Sequence, residues 1–491
     1  MQKTLGIIAI GFCLSLYQLA TAATWYVDAS VPSSGDGTTW DTAFKTIQEG
    51  IDVSSDGDTV IVAEGTYVQN IHFNGRNITL SSTNPLDSPV VVANTIIDGN
   101  QAGPVVTFSG TEDETCLLSG FTIRNGLAPQ GGGICGGSGE KRSRATIENS
   151  VISGNWADSG GGLLCCDGTI RNNVISRNRA GGLSYRSGQG GAIAYCDGTI
   201  LNNTVAENWA QNAGGGLSNC RGTIANNVIT GNSAASSAGL SKCDGVICNN
   251  VISLNCALST SPGYGAGGGL AACNGTISNN VVVSNSASVA GGGVAICFGV
   301  ITNNTIVWNT ARTGGGLYGC DAVILNCIIW HNTPLGGSQL RDSSLPSHSC
   351  IEGWTNGGEA NTSEDPRFAD GEFRLFHDSP CIDVGMNEEW MWQAVDLDGN
   401  PRIWNQTVDM GAYEYGSFHF KVVDVIEEAG NGAQVTWNSR PGDSYAVWSC
   451  LDLLIGEWIE EATVPAMGVV TWWSDLDRGH RCKFYRIGIE Q

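Results

Sequence analysis

The chain has 491 residues, 68 of them glycine, and carries 47 Asp and Glu against 24 Lys and Arg, a formal net charge of −23. That balance disfavours nucleic acid or an anionic membrane as partner, since neither would release counterions onto an acidic surface. The glycines follow no strict Gly-x-y period, which excludes collagen, and 15 tryptophans with 41% apolar residues speak for a packed core.

Residues 1–22 read as an export signal. Lys3 supplies the charged start, Leu5 to Leu19 the apolar stretch, and Ala20-Thr21-Ala22 the small-residue cleavage site. The mature chain is then expected outside the cell or at its surface, as a monomer without a membrane span, because no second stretch of transmembrane length follows. Disulfides are permitted there but not required.

Residues 23–350 are dominated by one ten-residue phrase. It runs TIENSVISGN from Thr146, TIRNNVISRN from Thr169, TILNNTVAEN from Thr199 and TIANNVITGN from Thr223, then recurs from Val246, Thr276, Val300 and Val323. The starts lie 23, 30, 24, 23, 30, 24 and 23 residues apart, and weaker copies begin at Val91 and Cys116. A helical solenoid would need apolar stripes at 3.6-residue spacing, and none is present. Short Val/Ile/Thr pieces broken by Asn and Gly favour strands and turns. The spacing therefore predicts a right-handed parallel β-helix of about 11 or 12 coils, with neighbouring coils ~4.8 Å apart.

Stacking explains the invariant columns. One holds Asn149, Asn172, Asn202, Asn226 and their successors, and another holds Asn155, Asn178, Asn208, Asn232 and theirs. Both are expected to form amide ladders between coils, and asparagine also tolerates left-handed bends. Cys166, Cys196, Cys220, Cys243, Cys273, Cys297 and Cys320 form a third column, three residues ahead of each phrase. Ligands strung along a column cannot converge on one metal, so buried, reduced thiols are expected. Repeated Gly-Gly-Gly runs mark a tight corner, with no phosphate-loop pattern around them.

On these residues the chain resembles the pectate-lyase-type β-helix repeat of bacterial exported proteins. Trp25-Tyr26-Val27-Asp28, Gly57-Asp58-Thr59-Val60 and Ala63-Glu64-Gly65-Thr66-Tyr67 look like that group's opening, with 41–53 as a short amphipathic helix over the exposed end. Residues 351–416 resemble its final coil and C-terminal cap, from Asp365-Pro366-Arg367-Phe368 to Asp409-Met410-Gly411-Ala412-Tyr413-Glu414-Tyr415. The resemblance implies a fold and leaves activity open, because the fold hosts lyases, hydrolases, adhesins and inert scaffolds. Residues 417–491 break the period: Gln434-Val435-Thr436-Trp437, Tyr445-Ala446-Val447-Trp448 and Lys483-Phe484-Tyr485-Arg486-Ile487 alternate like strands of a small β-sandwich module. Cys450 and Cys482 are either a disulfide joining two strands or two buried thiols.

Chemistry is less sharply written. Between Thr146 and Asn332 seven basic residues balance seven acidic ones, so the repeat body offers no basic groove for a polyanion. Asp167, Asp197, Asp244 and Asp321 recur beside the cysteine column, but Arg221, Asn274 and Phe298 interrupt them, which suits turn residues better than a metal cluster. Arg177 and Glu207, one coil apart, are the catalytic candidates, with a solvated ion pair as the alternative. Trp308 above His331 suggests a sugar-stacking surface. The two 30-residue spacings allow loops through Tyr185 and Arg186 and through Tyr264, about 14 Å apart and on one side of the coil. Polysaccharide is expected to bind against the two tyrosines with Arg186 as the polar contact, the Trp308/His331 stripe or the C-terminal module being the next places to look. Asp396, Asp398 and Asn400 could hold calcium, although they supply only part of a calcium loop's ligand set. The sequence thus points to a polysaccharide-binding scaffold without catalysis, a polysaccharide lyase or glycoside hydrolase being the alternative and a protein-recognising adhesin the third reading.

Overall fold

The computed structural model describes residues 22–84, 88–182, 188–260, 265–334 and 339–416, and in the C-terminal module residues 422–428, 432–439, 444–450, 458–466, 470–475 and 484–489. Each repeat phrase folds as two three-residue strands with a one-step corner between them. In one coil these are Thr199–Leu201 and Thr204–Ala206, followed by Trp209–Ala213 and Leu217–Ser218. The alternation dictates this arrangement: Ile200, Val205, Ala210 and Leu217 point inward and are at most 1% exposed. Each strand pairs in parallel with its copy one coil on, Thr199 opposite Thr223 and Thr204 opposite Val228. Among the described residues this gives four parallel sheets of 12, 12, 9 and 11 strands, named first to fourth in the order the chain visits them. The protein is a parallel β-helix, and its right hand follows from the rule for crossovers between parallel strands.

Two corners need particular backbones. The first-to-second corner is turned by Asn149, Asn172, Asn202, Asn226, Asn249, Asn279, Asn303 and Asn326, all at φ between 50° and 56°. That conformation throws their side chains outward, so the buried ladder lies one residue further along. Asn203, and not Asn202, donates through Nδ2 to Asn227 Oδ1 at 3.0 Å and to Ile170 O at 2.8 Å. Asn227, and not Asn226, repeats the pattern toward Asn250. The second expected ladder is as read: Asn208 Nδ2 donates to Asn232 Oδ1 at 2.9 Å and Ile175 O at 2.9 Å, with both residues fully buried. At the third-to-fourth corner a Cβ on Gly161 would stand 2.5 Å from the carbonyl oxygens of Arg179 and Gly191, so nothing larger fits between coils.

The cysteine column is buried and its thiols are free. Each Sγ faces the carbonyl two residues back, as Cys196 to Ala194 O at 3.4 Å and Cys220 to Ser218 O at 3.5 Å. Burial pushes the thiols of Cys196, Cys220 and Cys243 well above their ordinary range.

At the N-terminal end the expected helix is shorter, Ile47–Val53, after a 3-10 turn at Trp40–Thr42. Thr46 and Glu49 form a reciprocal capping box that fixes its start, and Ile47 and Ile51 close the core. At the other end Cys350–Ile351 is the last strand of the second sheet, Thr362 bridges to Cys350, and Trp354 packs on the core. The chain then does something the repeat does not announce. From Phe368 to Tyr415 it runs back along the flank of the solenoid, burying Phe373, Leu375, Met410 and Tyr413 against Val281, Val307, Ile328 and Trp330 of the second sheet. The corner asparagines hold it: Asn249 Nδ2 donates to Asp396 O at 2.8 Å, and Asn326 both donates to Met386 O at 2.9 Å and accepts from Met386 N at 2.8 Å. Gly411 comes so close that a Cβ there would meet Ile328 and Thr305 at 2.8 Å.

The C-terminal module consists of two three-stranded antiparallel sheets. Val435 and Trp437 of one pack with Tyr445 and Val447 of the other, which makes it a small sandwich. Cys450 ends a buried strand, and Cys482 lies outside the described residues.

Candidate functional site

The flanking segment covers only part of the second sheet, and a cleft of about 590 Å³ opens where the cover ends. Its floor is aliphatic: Val228, Val251, Val281 and Val283, with Asn226 at one edge. Its wall is the flanking segment, through Phe373, Arg374, Leu397, Asp398 and Tyr413. Arg374 organises that wall. Its Nε and Nη2 make two 2.7 Å bonds to the two oxygens of Asp398, its Nη1 reaches Asp370 at 3.1 Å and Glu372 at 2.6 Å, and it stacks over the Tyr413 ring at 5.0 Å. Burial opposes the charge on this guanidinium, but Asp398 and the other acids more than offset it and the pKa rises. Burial also raises the Tyr413 phenol.

Phe373 joins the cleft to an aromatic platform. Its ring meets Trp308 edge-on at 5.3 Å, and Trp308 lies parallel to His331, 4° between planes and 6.2 Å between centroids. Trp308 is 50% exposed at a second-to-third corner, where φ is 53°. His331 Nδ1 contacts Glu352 at 3.3 Å, and Glu352 is held in turn by Gln339 Nε2 at 2.9 Å. Trp308 and His331 therefore stack as a buttressed pair.

The other candidates fare differently. Arg177 Nε binds Glu207 at 2.8 Å with both side chains more than half exposed, a solvated ion pair with no second carboxylate placed to assist it among the described residues. Tyr185, Arg186 and Tyr264 lie outside the described residues. Asp167, Asp197 and Asp244 are turn acids: each accepts the backbone N–H of the next coil's counterpart, Asp197, Arg221 and Asn274, at 2.9 to 3.0 Å. In the loop expected to offer calcium ligands, the two carboxylates accept hydrogen bonds. Asp396 Oδ1 accepts from Asp398 N and Asn400 N, its Oδ2 from Glu414 N, and Asp398 is bound by Arg374. A different group, Asp383, Asp409 and Glu414, brings one oxygen each within 4.8 Å of one another. Asp409 accepts Asp383 N and Tyr415 N, Glu414 accepts Trp404 N and Asp409 N, and buried Arg402 stands 3.5 Å from Glu414. Asp409, Glu414 and Arg402 are buried inside the flanking segment.

The cleft wall was not read from the sequence, yet a signal was there. Outward positions of the second sheet run Ser176, Ala206, Thr230, Ser253 and then Val283, Val307, Trp330. An outward face that turns apolar announces that something covers it.

No family model and no curated protein matches this chain. Among solved structures it is similar to pectate lyase Pel9A (14% identity, TM-score 0.42, covering 81% of this chain and 97% of that one) and to XylC in complex with xylose (10%, 0.40, 94% and 100%). Pectin methylesterase PemA from Erwinia chrysanthemi is more distant, at 12% identity and a TM-score of 0.22, over 66% and 94% of the two chains. With every TM-score below 0.5, none of these likenesses extends to activity.

Proposed function

We propose that this protein is an exported scaffold that binds polysaccharide without cleaving it, in the cleft beside the second sheet and on the Trp308/His331 platform at its end. The observation that carries the reading is the half-exposed Trp308 ring, held flat by His331 and Phe373 next to a long aliphatic floor. A rigid aromatic face covers the C–H side of a sugar ring at little entropic cost. The acids of the wall speak against a glycoside hydrolase. A glycosidase needs two carboxylates facing each other across the scissile bond, whereas Glu372 and Asp398 share one guanidinium, Arg374.

The test is a glycan array with the mature chain, followed by titration of the best oligosaccharide into the wild type and Trp308→Ala. Loss of the ring should weaken binding roughly tenfold, as expected for one stacking contact, with an unchanged melting temperature. Equal affinity would reject the platform, and release of shortened products would favour the lyase or hydrolase reading. Export is tested by N-terminal sequencing of secreted protein, which should begin at Ala23.

A further inference from the structure

A second feature lies on a different face. The outward column of the third sheet places Trp156, Arg179 and Trp209 at one position in three successive coils, in register. The guanidinium of Arg179 sits between the two indoles, 4.8 Å from the Trp156 ring and 4.5 Å from the Trp209 ring. Trp156 is fixed in turn, its Nε1 donating to Gly181 O at 2.7 Å.

What sets Arg179 apart is the pair of indoles around it. Arg171 reaches Glu148 at 2.6 Å, Arg177 reaches Glu207 at 2.8 Å and Arg142 reaches Asp197 at 2.8 Å. Arg179 is exposed, and no carboxylate among the described residues pairs with it. Stacking occupies only the two faces of a guanidinium. The N–H donors lie in its plane; Gly182 lies beside Nη2, where a Cβ would come within 3.7 Å, and the exposed edge of the guanidinium leaves donors for a planar, bidentate acceptor.

We infer that Trp156, Arg179 and Trp209 form a clamp for the carboxylate of an acidic sugar: the fork binds the two oxygens and the indole edges border the ring that carries them. A carboxylate matches the fork in shape and charge, and charge-assisted bidentate pairs are the strongest hydrogen bonds available at a surface. The identity of the ligand as a glycan rests on the proposed function; the carboxylate chemistry rests on the clamp alone.

The experiment is calorimetric titration of the full mature chain with four probes: a uronic acid trisaccharide, the same trisaccharide with each carboxylate converted to the uronamide, its neutral hexose counterpart, and glutarate. The uronate should bind roughly tenfold more tightly than the uronamide, and Arg179→Lys, which keeps the charge but loses the fork, should remove that preference. Arg179 is a surface residue, and an unchanged melting curve for the variant verifies its fold. Trp308→Ala should leave the uronate-to-uronamide ratio as it is. If that ratio depends on Arg179 while no neutral glycan binds at Trp308, the clamp stands and the platform reading fails. Equal binding of uronate and uronamide, no binding of either, or full retention of the preference in Arg179→Lys overturns the clamp. Glutarate bound as tightly as the uronate overturns its assignment to a sugar.

Discussion

Substituting two adjacent asparagines separates the corner from the ladder. Asn203 is 1% exposed and fully engaged: Nδ2 donates to Ile170 O, Leu201 O and Asn227 Oδ1, while Oδ1 accepts from Asn173 N and Asn173 Nδ2, all at 2.8 to 3.0 Å. In Asn203→Ala the two donors of Asn173 and the carbonyl of Ile170 lose this partner inside the coil. At about 1–3 kcal/mol for each of the three buried groups left unsatisfied, the loss is on the order of 3–9 kcal/mol, reduced if water enters the vacated space. Asn202→Ala removes an exposed side chain from a residue at φ 55°. Its cost is the left-handed backbone penalty, about 1 kcal/mol, and Asn202→Gly should recover it. Urea unfolding followed by circular dichroism gives the comparison, and hydrogen exchange of the flanking coils guards against a transition that is not two-state. Equal losses at the two positions, or a larger one at Asn202, would refute this account of the corner.

Three further outcomes follow from the same packing. Burial raises Asp396 to about 6, Asp409 to about 7 and Glu414 to about 8, with backbone donors and Arg402 opposing the shift. Below about pH 4 these groups are protonated whether folded or unfolded; above it the unfolded chain ionises first. The flanking segment should therefore lose stability as pH rises from about 4 to about 8, and hydrogen exchange over 383–414 should accelerate across that window; constant protection would contradict it. Calcium or EDTA should shift the melting temperature by less than about 1 °C, since a ligand stabilises only through preferential binding to the folded state and the oxygens of Asp396 and Asp398 are already engaged. Thiol reagents should react with the column from Cys166 to Cys320 only after unfolding, because these thiols are buried and their pKa values mostly raised; rapid labelling of Cys220 or Cys243 in the native protein would be inconsistent with the core described.

The solenoid was legible because each coil repeats the same physical demands. Ile200, Ile224 and Ile247 recur at one inward position, and Asn208, Asn232 and Asn255 at one ladder position, so period alone gives register. The first ladder was misread by one residue, since an Asn-Asn pair does not reveal which member takes φ near 55° and turns outward. The cleft was much less legible. Arg374, Asp398 and Tyr413 stand more than a hundred residues after Asn226 and Val251, and they meet through a segment that runs back along the solenoid with no periodicity of its own. Only the apolar outward positions Val283, Val307 and Trp330 hinted at the cover. The adjacency of Trp308 and His331 was legible because they stack within the repeat itself.

The most direct test of polysaccharide recognition is hydrogen exchange of the mature chain with and without the best oligosaccharide from the array, at saturation. Binding in the cleft predicts slower exchange at 226–228, 249–251 and 281–284 on the second sheet and at 371–374 and 395–399 on the flanking segment, with 307–309 protected at the platform. Protection confined to the strands of the C-terminal sandwich, or none at all on the second sheet, would contradict it.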